Sequence, residues 1–263
     1  MTAVTLATRE WPPAVAAAAA AAPVAFLVHG VTGWHRTWWR VAPALAARGW
    51  RVLAVDQRGH GTSPRTGPAA IDDLADDLEA AIEARASVPV DLLLGHSLGA
   101  VASMALVRRR PGITRRLVLE DPPSLVRHDD DGFLDRLRRD ASAARRSPES
   151  EVRRELAENP TWVETDARQD VEGRSLSDTE GIVASLRIPR PFRVPAEAAS
   201  VAVPTLYILG DEERSVMVGA ARQELEAALP STSEIAVLDA GHTVHRDRFD
   251  EYMTTLLGWL ERS

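Results

Sequence analysis

Short apolar runs separated by amphipathic stretches constrain this chain more than any other feature. Val24 to Val28, Trp50 to Val55, Val90 to Leu94, Arg116 to Leu119, Val203 to Leu209 and Glu234 to Leu238 each suit a strand and are too short for a helix. Between them lie helical patterns: Trp39 to Arg48 before a stop at Gly49, Ile71 to Ala86 with apolar residues at i, i+3, i+4 spacing, Ala100 to Arg109, and Phe249 to Leu260. Strands without polar alternation are buried on both faces. The alternation therefore predicts an α/β fold: a mostly parallel sheet flanked by helices.

The pattern breaks once. Ser124 to Ala198 carries 13 Arg and 16 Asp plus Glu in 75 residues and has no run suited to a buried strand. This predicts a helical insertion (124–198) dividing a core made of 1–123 and 199–263. Its charge is read as a solvated helix face.

Composition narrows the chemistry. The 263 residues contain no cysteine, and all 31 basic residues are Arg. Disulfides, thiol nucleophiles, Schiff-base lysines and P-loops are thereby excluded. A net charge of −7, split as −3 in the insertion and −4 in the core, argues against nucleic acid as a partner. Ala14 to Val28 is an uncharged stretch of fifteen residues, too short to span a bilayer and interrupted by Pro23. It reads as the lead-in to a core strand and not as a targeting signal. The expectation is a cytoplasmic protein, monomer or homodimer, without a membrane partner.

Gly95-His96-Ser97-Leu98-Gly99 follows Leu92-Leu93-Leu94 and precedes a small-residue helix. Glycines on either side let a serine occupy a sharp strand-to-helix turn that lifts its hydroxyl above the sheet. Ser97 is the candidate nucleophile. His242, 145 residues later in Asp239-Ala240-Gly241-His242, sits between the last strand and last helix and is the candidate base. His245 is the competing base, read as a loop-packing residue. No third ligand accompanies the two histidines, so no metal is expected. His29-Gly30-Val31-Thr32-Gly33 can aim backbone N–H groups into a cavity. The N–H groups of Val31 and Leu98 are the candidate oxyanion donors, with His29 read as structural. Trp34, His35, Trp38 and Trp39 follow this loop, and Phe133, Trp162 and Phe192 are the aromatics of the insertion. Trp34, His35 and Trp162 are taken as candidate substrate-pocket residues, while Trp38 or Trp39 is expected to pack a helix on the sheet.

HGVTG, DQRGHGTS (Asp56 to Ser63), GHSLG and the late AGH, in this order, resemble the α/β-hydrolase fold superfamily in its lidded serine esterase/lactonase-like branch. The resemblance implies an eight-stranded, mostly parallel sheet with a helical lid inserted after the sixth strand. It implies structural roles for Asp56, Arg58 and His60. The triad acid usually follows the strand equivalent to Thr205–Leu209, where this chain has Gly210-Asp211-Glu212-Glu213. In some branches it ends the sixth strand, here Glu120-Asp121-Pro122-Pro123. Asp121, 24 residues after Ser97, is favoured, and Asp211 and Glu213 are the alternatives.

The expected function is hydrolysis of an ester, lactone or thioester of a small to medium apolar molecule through an acyl-enzyme on Ser97, without cofactor. C–C hydrolysis, acyl transfer and cofactor-free haloperoxidase or perhydrolase chemistry use the same fold, and a non-enzymatic ligand receptor is the alternative of another class.

Overall fold

The computed structural model describes residues 2–14, 21–124, 131–188 and 192–263. Residues 15–20 of the alanine run lie outside this set. Seven strands form one sheet: β1 (Thr8–Trp11), β2 (Val24–Val28), β3 (Arg51–Val55), β4 (Leu92–His96), β5 (Leu117–Glu120), β6 (Thr205–Leu209) and β7 (Ser233–Val237). Their order is β1-β3-β2-β4-β5-β6-β7, with β1 antiparallel to β3 and every other pair parallel. The described residues thus show seven strands instead of the eight that the resemblance implies. The insertion follows the fifth of them.

Residues alternate between the two faces. Phe26, Val28, Leu53, Leu93, Leu119 and Tyr207 pack with α2 (Ile71–Arg85) and α3 (Leu98–Arg109). Leu27, Val52, Leu94, Val118 and Ile208 pack with α1 (Val41–Ala46) and the C-terminal helix Phe249–Arg262. Every described residue of β4 and β5 is buried, which explains why these strands read as unbroken apolar runs. The predicted helix at Trp39 starts later, at Val41, because His35–Trp38 winds into a 3-10 turn. Trp38 is fully buried beneath the sheet, worth about 2–3 kcal/mol of transfer energy.

Between β5 and β6 the described residues are helical: α4 (Asp131–Arg146), α5 (Pro148–Glu158), α6 (Glu164–Leu176), α7 (Thr179–Leu186) and α8 (Val194–Ala198). Only Leu134, Ala141 and Ala144 of α4 are buried, so its arginines and acids form a solvated face. After β6 come α9 (Gly219–Ala228), β7, the short α10 (Val244–Asp247) and α11 (Phe249–Arg262). Among the described residues no helix is long and apolar enough to cross a membrane.

Candidate active site

Ser97 lies between β4 and α3 with φ 52° and ψ −119°, a left-handed conformation that is strained for a residue with a Cβ. The two flanking glycines make the turn possible. A Cβ on Gly99 would overlap the carbonyl oxygens of Val28 and His29, and one on Gly95 would stand 2.6 Å from the backbone nitrogen of Ala100. The serine N–H donates to the Glu120 carbonyl at 2.9 Å, which fixes the turn to β5.

His242 projects from the loop between β7 and α10. Its Nε2 lies 2.9 Å from Ser97 Oγ, and its Nδ1 lies 2.7 Å from Asp121 Oδ2. Asp121 is fully buried just beyond β5 with φ 38°. Its carboxylate also accepts from the Ser215 hydroxyl, from the Val216 N–H at 3.2 Å and from the Gly210 N–H at 3.4 Å. The structure therefore brings Ser97, His242 and Asp121 into one hydrogen-bonded chain. Asp211 is elsewhere: its carboxylate accepts from the N–H groups of Glu213 and Arg214 and pairs with the Arg214 guanidinium. Glu213 is exposed. The loop that offered the alternative acids instead supplies Gly210, Ser215 and Val216 as donors to Asp121, a role that no local pattern in the sequence announces.

Val31 and Leu98 carry the candidate oxyanion donors. Neither backbone N–H has an acceptor among the described residues. His29 is a brace. Gln57 N–H donates to its Nε2 at 3.0 Å, and Gln57 Nε2 donates to its carbonyl at 2.6 Å, tying the ends of β2 and β3. Burial pulls its pKa down to about 3, so the ring is neutral. Asp56 holds the same corner, accepting from the His35 and Thr62 N–H groups, and Arg58 forms a buried ion pair with Asp77.

A second histidine–carboxylate pair lies behind the first. His245 Nδ1 is 2.8 Å from Glu120 Oε1, and its backbone N–H donates to the same oxygen at 2.9 Å. Burial pushes the Glu120 pKa up, but the neighbouring His245 and His96 and the hydrogen bonds from His245 outweigh it and leave the carboxyl below its usual range. His96 is held neutral by burial, with a pKa of about 3, and its Nε2–H donates to the His242 carbonyl at 3.0 Å. His245 thus packs the loop behind His242.

The candidate pocket residues each make a polar contact within the fold. Trp34 is buried and donates its Nε1–H to the Gln169 carbonyl at 3.1 Å, while Gly173 of α6 sits against Thr32 and Trp34. His35 Nδ1 is bound to Asp56 at 2.9 Å. Trp162 donates to Asp247 Oδ1 at 2.8 Å and stacks under Arg246. The indole N–H groups of Trp34 and Trp162 fasten the insertion to the core, while His35 is tied to Asp56 within the core. A cavity that Leu98, the residue after Ser97, helps to line is bounded also by Arg58, His60, Asp178, Ile182 and Phe192, and none of Trp34, His35 and Trp162 lines it.

The sequence family described as alpha/beta hydrolase fold matches residues 23–249. The chain belongs to the α/β hydrolase fold family. It is 26% identical to the sn-1-specific diacylglycerol lipase ABHD11 of Mus musculus over 250 residues, 90% of this chain and 81% of that protein. The solved structure of E-2-(acetamidomethylene)succinate hydrolase superposes with a TM-score of 0.81 at 22% identity, over 98% of this chain and 96% of that one. A thioesterase domain from the curacin biosynthetic pathway gives 0.74 at 21% identity, over 96% and 95%. These two structural likenesses speak for the fold. With hydrolases as its relatives, this member of the family is an enzyme of the hydrolase class.

Proposed function

We propose that this protein is a serine hydrolase that cleaves an ester, lactone or thioester of a small to medium apolar molecule through an acyl-enzyme on Ser97. The observation that carries the reading is the Ser97–His242–Asp121 chain, with contacts of 2.9 and 2.7 Å. A serine hydroxyl is a poor nucleophile until a base removes its proton as it attacks. His242 Nε2 takes that proton while Ser97 Oγ bonds to the acyl carbon. The negative charge that develops on the carbonyl oxygen is met by the N–H groups of Val31 and Leu98, already oriented and without another acceptor. His242 then delivers its proton to the leaving oxygen or sulfur as the C–O or C–S bond breaks. Water enters, gives a proton to His242, and releases the acid by the reverse sequence. Asp121 holds the Nδ1–H tautomer and favours the imidazolium.

The helices between β5 and β6 act as the lid over this centre. Relatives named a lipase and solved structures named a hydrolase and a thioesterase fit acyl transfer to water as the shared chemistry. Turnover of p-nitrophenyl esters tests the reading. The expected outcome is a burst of p-nitrophenol followed by steady release, lost in Ser97→Ala. Equal turnover by the variant contradicts it.

A further inference from the structure

The ends of β4 and β5 lie side by side, with His96 in register with Glu120. Ser97 follows one end and Asp121 follows the other. Side-chain contacts run from these two ends to the segment 242–245. The Ser97–His242–Asp121 chain supplies one set. In addition, His96 Nε2–H donates to the His242 carbonyl at 3.0 Å. The Glu120 carboxylate grips His245: Oε1 accepts the backbone N–H at 2.9 Å, and Nδ1 lies 2.8 Å from Oε1 and 2.9 Å from Oε2. A carboxylate can only accept, so Nδ1 carries the hydrogen.

Glu120 reaches the nucleophile as well. Its carbonyl accepts the Ser97 N–H at 2.9 Å, so one residue holds the backbone of the serine turn and the loop of the histidine. Glu120 is fully buried, and His245 is 2% exposed. The His245 ring is boxed in by Trp38, His96 and Tyr252, with ring centroids 4.8, 5.7 and 6.0 Å away. Burying a carboxylate costs desolvation, which an apolar pair filling the same space would avoid. What the polar pair adds is direction, because its hydrogen bonds define one position for the loop. His242 needs that direction. Its side chain is 34% exposed, and residues 238–243, which carry it, form neither helix nor strand. Proton transfer tolerates little displacement: a misplacement of about 1 Å costs about a hundredfold in rate.

We propose that Glu120 and His245 are positioning residues: by anchoring the loop three residues beyond His242 to the strand that bears Asp121, the pair holds His242 Nε2 within reach of Ser97 Oγ during the proton transfers. The inference rests on the acyl-enzyme reading, with neither side chain touching the acyl group and both acting through His242.

The test counts active sites by fluorophosphonate titration to completion and measures kcat per titrated site with p-nitrophenyl butyrate. In His245→Leu, kcat per site should fall about a hundredfold with KM little changed. His245→Asn, whose side-chain N–H stands in for Nδ1–H, should recover most of the loss. Glu120→Gln keeps the shape and loses the charge, and its kcat per site should fall about tenfold. Added to His242→Ala, His245→Leu should leave the residual hydrolysis unchanged, because the group it positions is gone. Fewer titrated sites with wild-type kcat per site, as a merely structural pair predicts, overturns the inference. So does a rise in KM alone, a His245→Asn no better than His245→Leu, or a further loss in the His242→Ala background. If His245→Leu gives no titratable sites, Glu120→Gln carries the decision, and no sites in either variant overturns the inference as well. In each of these cases the acyl-enzyme on wild-type Ser97 stands. A wild type without titratable sites sinks both readings.

Discussion

The Asp121 carboxylate stands 2.7 Å from Nδ1 of His242, although 121 residues separate them. Asp211, on the loop where the acid was the alternative expectation, pairs with Arg214 instead. Asp121→Asn should therefore lower kcat by about 10³–10⁴, the cost of losing the histidine tautomer and its counter-charge. Asp211→Asn and Glu213→Gln should remain within a few-fold of wild type. Steady-state kinetics on a p-nitrophenyl ester distinguish them, and a large loss confined to Asp211→Asn would reverse the assignment.

Ser215 donates its hydroxyl to Asp121 Oδ1. A hydrogen bond to a charged group is worth about 1.5–3 kcal/mol. Ser215→Ala should lower kcat/KM roughly tenfold with KM little changed, because the serine acts on Asp121 and not on substrate. Ser215→Thr, which keeps the donor, should recover most of the loss. A KM effect alone would place Ser215 in substrate binding.

Asp247 joins the insertion to the loop of His242. Its Oδ2 accepts the Gly241 N–H at 2.6 Å, and its Oδ1 accepts from Trp162 Nε1 at 2.8 Å and from the Thr161 hydroxyl at 3.0 Å. Asp247→Ala leaves these donors without an acceptor and frees the residue next to His242. The expected loss is about tenfold in kcat, together with slower fluorophosphonate labelling. Trp162→Phe keeps the ring beside Arg246, so a smaller loss is expected. Wild-type labelling in Asp247→Ala would show that the insertion does not hold the histidine.

Acid should destabilise the protein before its carboxylates titrate. His29 and His96 are held neutral by burial, with pKa values of about 3, and burial shifts His60 in the same direction. Their unfolded value is about 6.5. Between these limits the unfolded chain binds more protons, so stability is complete above about pH 6.5 and falls as the pH drops toward 3. At pH 5 the loss is about 2 kcal/mol each for His29 and His96. Urea midpoints at pH 7 and pH 5 measure it. A midpoint that does not fall between them would contradict the neutral buried rings.

The parts of this molecule that were legible in the sequence are governed by local rules. The unbroken apolar runs of β4 and β5 mark burial on both faces, and Gly95 and Gly99 mark the one serine able to sit on a sharp turn. What escaped depends on partners distant in the chain. Thr8–Trp11 is an edge strand that is nowhere fully buried, so its Thr-Arg-Glu-Trp sequence gave no apolar signal. The aromatic area of Trp34 and Trp162 suggests pocket residues. Their indole N–H groups are spent on Gln169 and Asp247, 135 and 85 residues away. Phe192 alone of the singled-out aromatics lines the cavity, and His60, expected to be structural, lines it as well.

The most direct measurement is intact-mass analysis after incubation with a fluorophosphonate, on the wild type, Ser97→Ala and His242→Ala. The expected result is one adduct per wild-type chain, mapped to Ser97, with none on Ser97→Ala and very slow labelling of His242→Ala. An unlabelled wild type, or equal labelling of Ser97→Ala, would contradict an acyl-enzyme on Ser97.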